Sequence, residues 1–354
     1  MALSDELPPP PPPKAAKISS PALPWRTRIS IKIISTISTA SRRRNGTVNR
    51  TLLNMLGYKC SANSTPIGGV STFDITVDPT RKLWFRLFVP VAATTSSSVL
   101  PVIVFFHGGG FTYLSPDNRS YDAVCRRFSS SVPAIVVSVD YRLAPEYRCP
   151  AQYKDGFDCL RFLDDEQKRK GVLPENADVS RCFLAGDSAG ANIAHHVAKR
   201  ACESEFKTLK VIGLVAIQPF FGGEQRTESE ISLASIDPLV SIARTDWMWE
   251  AFLPPEEGMN RDHEVINVSG PRAVDLSRLD FPATIVFIGG FDSLKDWQKR
   301  YYEWLKRSGK EVYLVEYPNM VHAFYVFPEL KESEELIAQV KNFVHKQCSK
   351  VVES

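Results

Sequence analysis

From Ser71 onward the chain repeats one pattern, a short and mostly apolar run followed by a stretch of helix length. The runs lie at 83–89, 102–106, 135–139, 182–185, 211–217, 284–288 and 312–316. A strand covered on both faces needs no polar alternation, so runs of this length read as central strands of a buried sheet. The intervening stretches, such as 151–169 and 297–307, are long enough to be helices that cross from strand to strand. The expected fold is therefore α/β, with a mostly parallel, doubly wound sheet and helices on both faces. With 354 residues, 44% of them hydrophobic, the chain can bury such a core. No internal repeat is visible.

One turn in this pattern is tightly specified. Gly186-Asp187-Ser188-Ala189-Gly190 follows the run 182–185 directly, and 191–200 reads as the next helix. The form G-x-S-x-G between a strand and a helix sets the serine at the tip of a sharp turn, where a side chain at either glycine would crowd the packing. Ser188 would then sit near a helix N-terminus with its hydroxyl above the sheet.

In open α/β sheets, functional groups gather beyond the carboxyl ends of the strands. After 102–106 comes His107-Gly108-Gly109-Gly110-Phe111; after 284–288 comes Gly289-Gly290-Phe291-Asp292; after 312–316 comes a loop with His322. A hydroxyl, a carboxylate and an imidazole thus meet at one rim. His322 can take the proton of Ser188 and return it to a leaving alcohol. Asp292 would hold the imidazole in the useful tautomer. Backbone N–H groups of Gly108 and Gly109, with Ala189 just after the serine, are the expected donors to a developing oxyanion.

Each residue alone has a plainer reading. Asp292 suits a helix cap near Ser293, Asp296 suits pairing with a neighbour, and His195 and His196 suit a structural role inside a helix. The joint occurrence at several strand ends favours the catalytic reading. No metal-ligand spacing and no phosphate loop competes, so neither a metal nor a cofactor is expected.

The outer segments carry less chemistry. Residues 1–20 are proline-rich and expected to be disordered, and 21–70 form a lid-like arm packed on a catalytic domain over 71–348. Within the arm, Ile31, Ile34 and Ile37 recur at the spacing of one helical face. Its Arg-, Ser- and Thr-rich composition also fits a transit peptide, against which Asp5 and Glu6 argue. Residues 222–280 break the alternation and are expected to be an insertion over the sheet's edge. A net charge of +3, spread along the chain, argues against nucleic acid as a partner. No apolar run reaches the roughly 18 residues of a membrane span. Seven scattered cysteines and the absence of a signal-peptide core point to a reducing compartment, cytoplasmic or nuclear. The sequons at Asn45, Asn63 and Asn118 are accordingly read as chance.

With these residues placed, the sequence resembles the hormone-sensitive-lipase-like branch of the α/β-hydrolases, specifically the plant carboxylesterases. The matching stretches are 107–111, Asp140-Tyr141-Arg142-Leu143-Ala144-Pro145-Glu146, 186–192, Pro219-Phe220-Phe221-Gly222-Gly223, 292–296 and His322-Ala323-Phe324. Ser, Asp and His also follow one another in that family's chain order. The resemblance implies a serine esterase for small carboxylic esters with Ser188, Asp292 and His322 as triad. It also implies a substrate pocket near 219–255, with Phe220, Phe221 and Trp247 as apolar walls. Trp25, the stretch 45–50 and Thr227-Glu228-Ser229-Glu230 are similar to the soluble gibberellin receptors, which share the fold and use the N-terminal segment as a lid. Those receptors have an aliphatic residue where His322 stands and a serine where Gly110 stands, which points this chain toward catalysis. A hormone-binding receptor, or a lyase of the same family, is the alternative that the resemblance leaves.

Overall fold

The computed structural model describes residues 20–91 and 99–353, so the tail expected over 1–20 lies outside the described residues except for Ser20. Eight strands form one sheet: β1 (Val70–Asp78), β2 (Leu83–Pro90), β3 (Leu100–Phe106), β4 (Ile135–Asp140), β5 (Ala177–Asp187), β6 (Val211–Ile217), β7 (Ala283–Gly289) and β8 (Val312–Tyr317). Their order is β1-β2-β4-β3-β5-β6-β7-β8. Only the β1–β2 and β2–β4 pairings are antiparallel, so the mostly parallel sheet read from the apolar runs is present. β1 was not anticipated. It sits at the sheet's edge with most of its side chains at least partly exposed, so it carries no apolar run.

Ten α-helices accompany the sheet among the described residues: α1 (Trp25–Ala40), α2 (Arg50–Leu56), α3 (Arg119–Ser131), α4 (Ala151–Asp164), α5 (Glu166–Arg169), α6 (Ala189–Cys202), α7 (Glu228–Ser232), α8 (Ile242–Phe252), α9 (Lys295–Arg307) and α10 (Lys331–Glu353). Alternate side chains of a strand point to opposite faces, and β3 shows the result. Val102, Val104 and Phe106 join a core with Leu160 of α4, Ile193 and Val197 of α6, and Tyr301 of α9. Ile103 and Phe105 join a second core with Val124 and Phe128 of α3 and Val340 and Val344 of α10. The sheet is doubly wound.

One expected helix is two. The stretch 151–169 breaks at Asp165, whose extended backbone ends α4 while its carboxylate accepts from the N–H groups of Gln167 and Lys168 and starts α5. A short acidic side chain offers the backbone this alternative to continuing a helix.

The arm's helix α1 forms, and of the expected face Ile31 is buried and Ile37 partly so, while Ile34 turns outward. Thr27, Ile31 and Ser38 are its buried residues, while Ile34 is 43% exposed. The reason is polar docking. Thr27 Oγ1 donates to Glu329 at 2.6 Å, and Tyr113 Oη donates to the Ser38 carbonyl at 3.1 Å. The buried Arg244 of α8 donates to Ser38 Oγ, and at 2.8–2.9 Å to Ser35 O, Ser35 Oγ and Thr39 Oγ1. α1 has no basic residue in its last turn, and Arg244 brings a cation to that end from another element. Among the described residues, no helix is long and apolar enough to cross a membrane.

Candidate active site

β5 runs straight into α6 through Ser188, whose φ of 52° and ψ of −120° are outside the regions ordinary residues favour. Such a conformation costs about 1–3 kcal/mol and persists only where its surroundings enforce it. Here the Ser188 N–H donates to Ile217 at 2.9 Å, and its carbonyl accepts from Phe220 N at 3.0 Å. The flanking glycines are required by close approach. A Cβ on Gly190 would coincide with the Phe106 carbonyl, and one on Gly186 would overlap the Gly190 carbonyl. Ser188 is 7% exposed, and among the described residues its hydroxyl forms no hydrogen bond. Contacts of this kind are often long in empty sites and tighten around substrate.

The loops after β7 and β8 bring Asp292 and His322 together. His322 Nδ1 lies 2.8 Å from Asp292 Oδ2, and both residues are buried. The same oxygen accepts from Gln218 Nε2 at 2.9 Å and Gln298 Nε2 at 2.8 Å, while Asp292 Oδ1 accepts from Leu294 N at 2.9 Å. Asp292 thus bonds to the turn before α9 without capping the helix, whose N-cap is Leu294 with no side-chain cap bond. Asp296 faces elsewhere and accepts from Ser229 N at 2.8 Å.

Burial opposes charge on His322, but the Asp292 carboxylate outweighs it, with Asp237 and Asp187 adding to the effect; the imidazole is held up at about 9. Burial raises Asp187 to about 6, and burial together with Asp292 raises Asp237 to about 6. Asp237 comes from the 222–280 segment, and its carboxylate accepts from Leu239 N and, at 3.4 Å, from Ser293 N.

The glycine loop differs from expectation. The Gly108 N–H donates to Tyr121 Oη at 2.8 Å, and that hydroxyl donates in turn to Asp187 at 2.9 Å. Gly108 is therefore not available as an oxyanion donor, because its hydrogen already has an acceptor. Gly109, Gly110 and Ala189 have N–H groups that meet no acceptor among the described residues. Gly109 and Gly110 have φ of +104° and +59°, a backbone that a side chain would strain. His107 is pushed down to about 4 by burial and stacks on Tyr141 at 4.3 Å, so it is neutral packing beneath the loop.

The three residues expected to wall a pocket are placed differently. Phe220 stacks on Trp249 at 3.9 Å and Phe221 packs on Tyr301 at 4.7 Å; each is 1% exposed and belongs to the core. Trp247 is half-buried beneath the arm, with Tyr113 on its ring at 6.2 Å and Arg42 at 5.2 Å. Met248, one residue on, covers Gly110. His195 and His196 are bonded to Tyr301 Oη and the Val265 carbonyl. Among the described residues no group of three or more His, Cys, Asp or Glu side chains could hold a metal.

Three of the site's neighbours were missed. Gln218 was findable, since it follows β6 directly at the same rim; Gln298 and Asp237, inside a helix and an irregular segment, carry no such signal.

Comparison with known proteins agrees with this architecture. Residues 103–326 match the family described as alpha/beta hydrolase fold. The gibberellin receptor GID1C of Arabidopsis thaliana is 38% identical over 341 residues, covering 93% of this chain and 96% of the receptor. Carboxylesterase 20 of the same plant is 34% identical over 314 residues, covering 85% of this chain and 93% of the enzyme. The hyperthermophilic esterase of Pyrobaculum calidifontis superposes with a TM-score of 0.70 at 26% identity, over 92% of this chain and 99% of the other.

Proposed function

This chain belongs to the alpha/beta hydrolase family and is of carboxylesterase type, and from that premise we propose that it hydrolyses small carboxylic esters through an acyl-enzyme on Ser188. The observation that carries the reading is the 2.8 Å contact of His322 Nδ1 with Asp292 Oδ2, at the rim where Ser188 stands on its strained turn.

Ser188 Oγ attacks the ester carbonyl carbon as its proton passes to His322 Nε2. The carbonyl electron pair moves to oxygen, where the N–H groups of Gly109, Gly110 and Ala189 meet it. Removing one such donor costs about a hundred- to a thousandfold in rate. Collapse of the tetrahedral species expels the alcohol oxygen, which takes the proton from His322. Water then repeats the sequence on the acyl-serine: it gives a proton to His322, the C–Oγ bond breaks, Ser188 regains its proton and the acid leaves. Asp292 orients the imidazole throughout.

A hormone-binding receptor without turnover is the second reading, favoured by the 36–38% identity to three gibberellin receptors of Arabidopsis thaliana and by the docked arm. Hydrolysis of p-nitrophenyl acetate by the parent and by Ser188→Ala separates them. Turnover lost in the variant, with a serine-reactive phosphonate labelling Ser188, supports the esterase. Equal inactivity of both, with tight binding of a gibberellin-type acid, sinks it.

A further inference from the structure

Gln218 stands where the strand β6 ends, with its backbone at a φ of 44°, and it is buried. A non-glycine residue in the left-handed region needs its surroundings to hold it there. Its N–H donates to the Phe287 carbonyl at 2.9 Å, and its side chain does the rest. Nε2 donates to Asp292 Oδ2 at 2.9 Å and to the Val321 carbonyl at 3.1 Å, while Oε1 accepts from Ala323 N at 2.8 Å. Residues 321 and 323 flank His322, so one carboxamide grips the chain on both sides of the imidazole and also touches its carboxylate partner.

The orientation of that amide is determined by its neighbours. Reversed, its oxygen would face a carboxylate and a carbonyl, and its NH2 would face an N–H. Space is reserved for it as well, because a Cβ on Gly289 would lie 2.7 Å from Gln218 Nε2.

We propose that Gln218 is a positioning residue for His322: its carboxamide fixes the 321–323 backbone and Asp292 in one frame, so that the imidazole meets Ser188 at the right distance. The role rests on the esterase reading above, in which His322 is the base. A base misplaced by a fraction of an ångström loses much of the advantage of a fixed geometry, so the effect falls on turnover and not on substrate affinity.

The test compares the parent with Gln218→Met, which keeps the length of the side chain and removes its hydrogen bonds. Three quantities are measured: kcat and KM for p-nitrophenyl acetate, the melting temperature, and the low-field proton resonance of His322 Nδ1–H in the resting protein. The expected result is a kcat lower by about ten- to a hundredfold with KM within about twofold. The resonance is expected to shift or broaden while the protein still melts cooperatively. A resonance unchanged from the parent, or a kcat within about twofold of it, overturns the proposal. Should Gln218→Met not fold, Gln218→Asn, which withdraws the amide by one methylene, carries the same expectations. A parent without turnover would end the esterase reading, and the resonance alone would then decide whether Gln218 holds the imidazole.

Discussion

Met248 covers Gly110 so closely that any side chain at position 110 would run into its sulfur. The glycine's φ of +59° adds a second penalty against replacement. Gly110→Ser should therefore push Met248 away and turn a proposed oxyanion donor out of line, lowering kcat by about a hundredfold or more. Steady-state kinetics on a small acyl ester measure this; a serine variant with parental kcat would remove Gly110 from the donor set.

Asp292→Asn tests the carboxylate. Three donors converge on Asp292 Oδ2 and a fourth meets Oδ1, so an amide placed there in either orientation sets an NH2 against another donor. The expected loss in kcat is about a hundred- to ten-thousandfold, as the imidazole loses its fixed tautomer. Melting temperature should fall too, since a buried donor is left without an acceptor.

Acidity reads out the cluster around His322. The base must be neutral to accept the serine proton, so kcat/KM should rise with pH along a limb centred near about 9. Asp237, raised by burial and by Asp292, favours the charged imidazole wherever it is ionised. Asp237→Asn should move the limb to lower pH by on the order of one unit. Stability follows the same sign. The imidazole's raised pKa contributes stability in full below its ordinary 6.5, and that contribution is lost as pH climbs to about 9. Melting curves at a series of pH values should show a shallower decline for Asp237→Asn, and parallel profiles would exclude Asp237 from the effect.

Arg244→Ala should loosen the arm and leave the hydrolase core folded. Each hydrogen bond from the guanidinium contributes about 1.5–3 kcal/mol, so its removal should raise the open fraction of the arm by tenfold or more. Trypsin should then cut the exposed turn at Arg43 and Arg44 faster, with the melting of the remainder little changed. Equal cleavage rates would show that other contacts hold the arm.

The strands of the fold were legible because central parallel strands are buried on both faces and leave continuous apolar runs. β1, half-exposed at the edge, leaves none. The site was legible only in part, because sequence tells which residues follow a strand but not where their hydrogens point. Gly108, Gly109 and Gly110 are chemically equivalent as letters; what separates them is Tyr121, thirteen residues on, whose hydroxyl takes up the first N–H. Of Ile31, Ile34 and Ile37 the first is buried, but the surface α1 meets also presents Arg244, Glu329 and Tyr113, so hydroxyls share the inner face and Ile34 is left exposed. Asp237 belongs to an irregular segment, and no local pattern announces that it faces the imidazole.

The seam beneath the arm has a consequence for how acidity acts on this molecule. Arg244 meets carbonyl and hydroxyl oxygens there and, among the described residues, no carboxylate. Acidity reaches that joint only at a distance, through Asp237, whose charge favours the guanidinium, and the ion pairs that salt can screen lie elsewhere on the arm, at Arg50–Glu146 and Lys59–Asp117. The same buried Asp237 also favours the charged imidazole of His322, so one carboxylate links the arm's fastening to the base of the site.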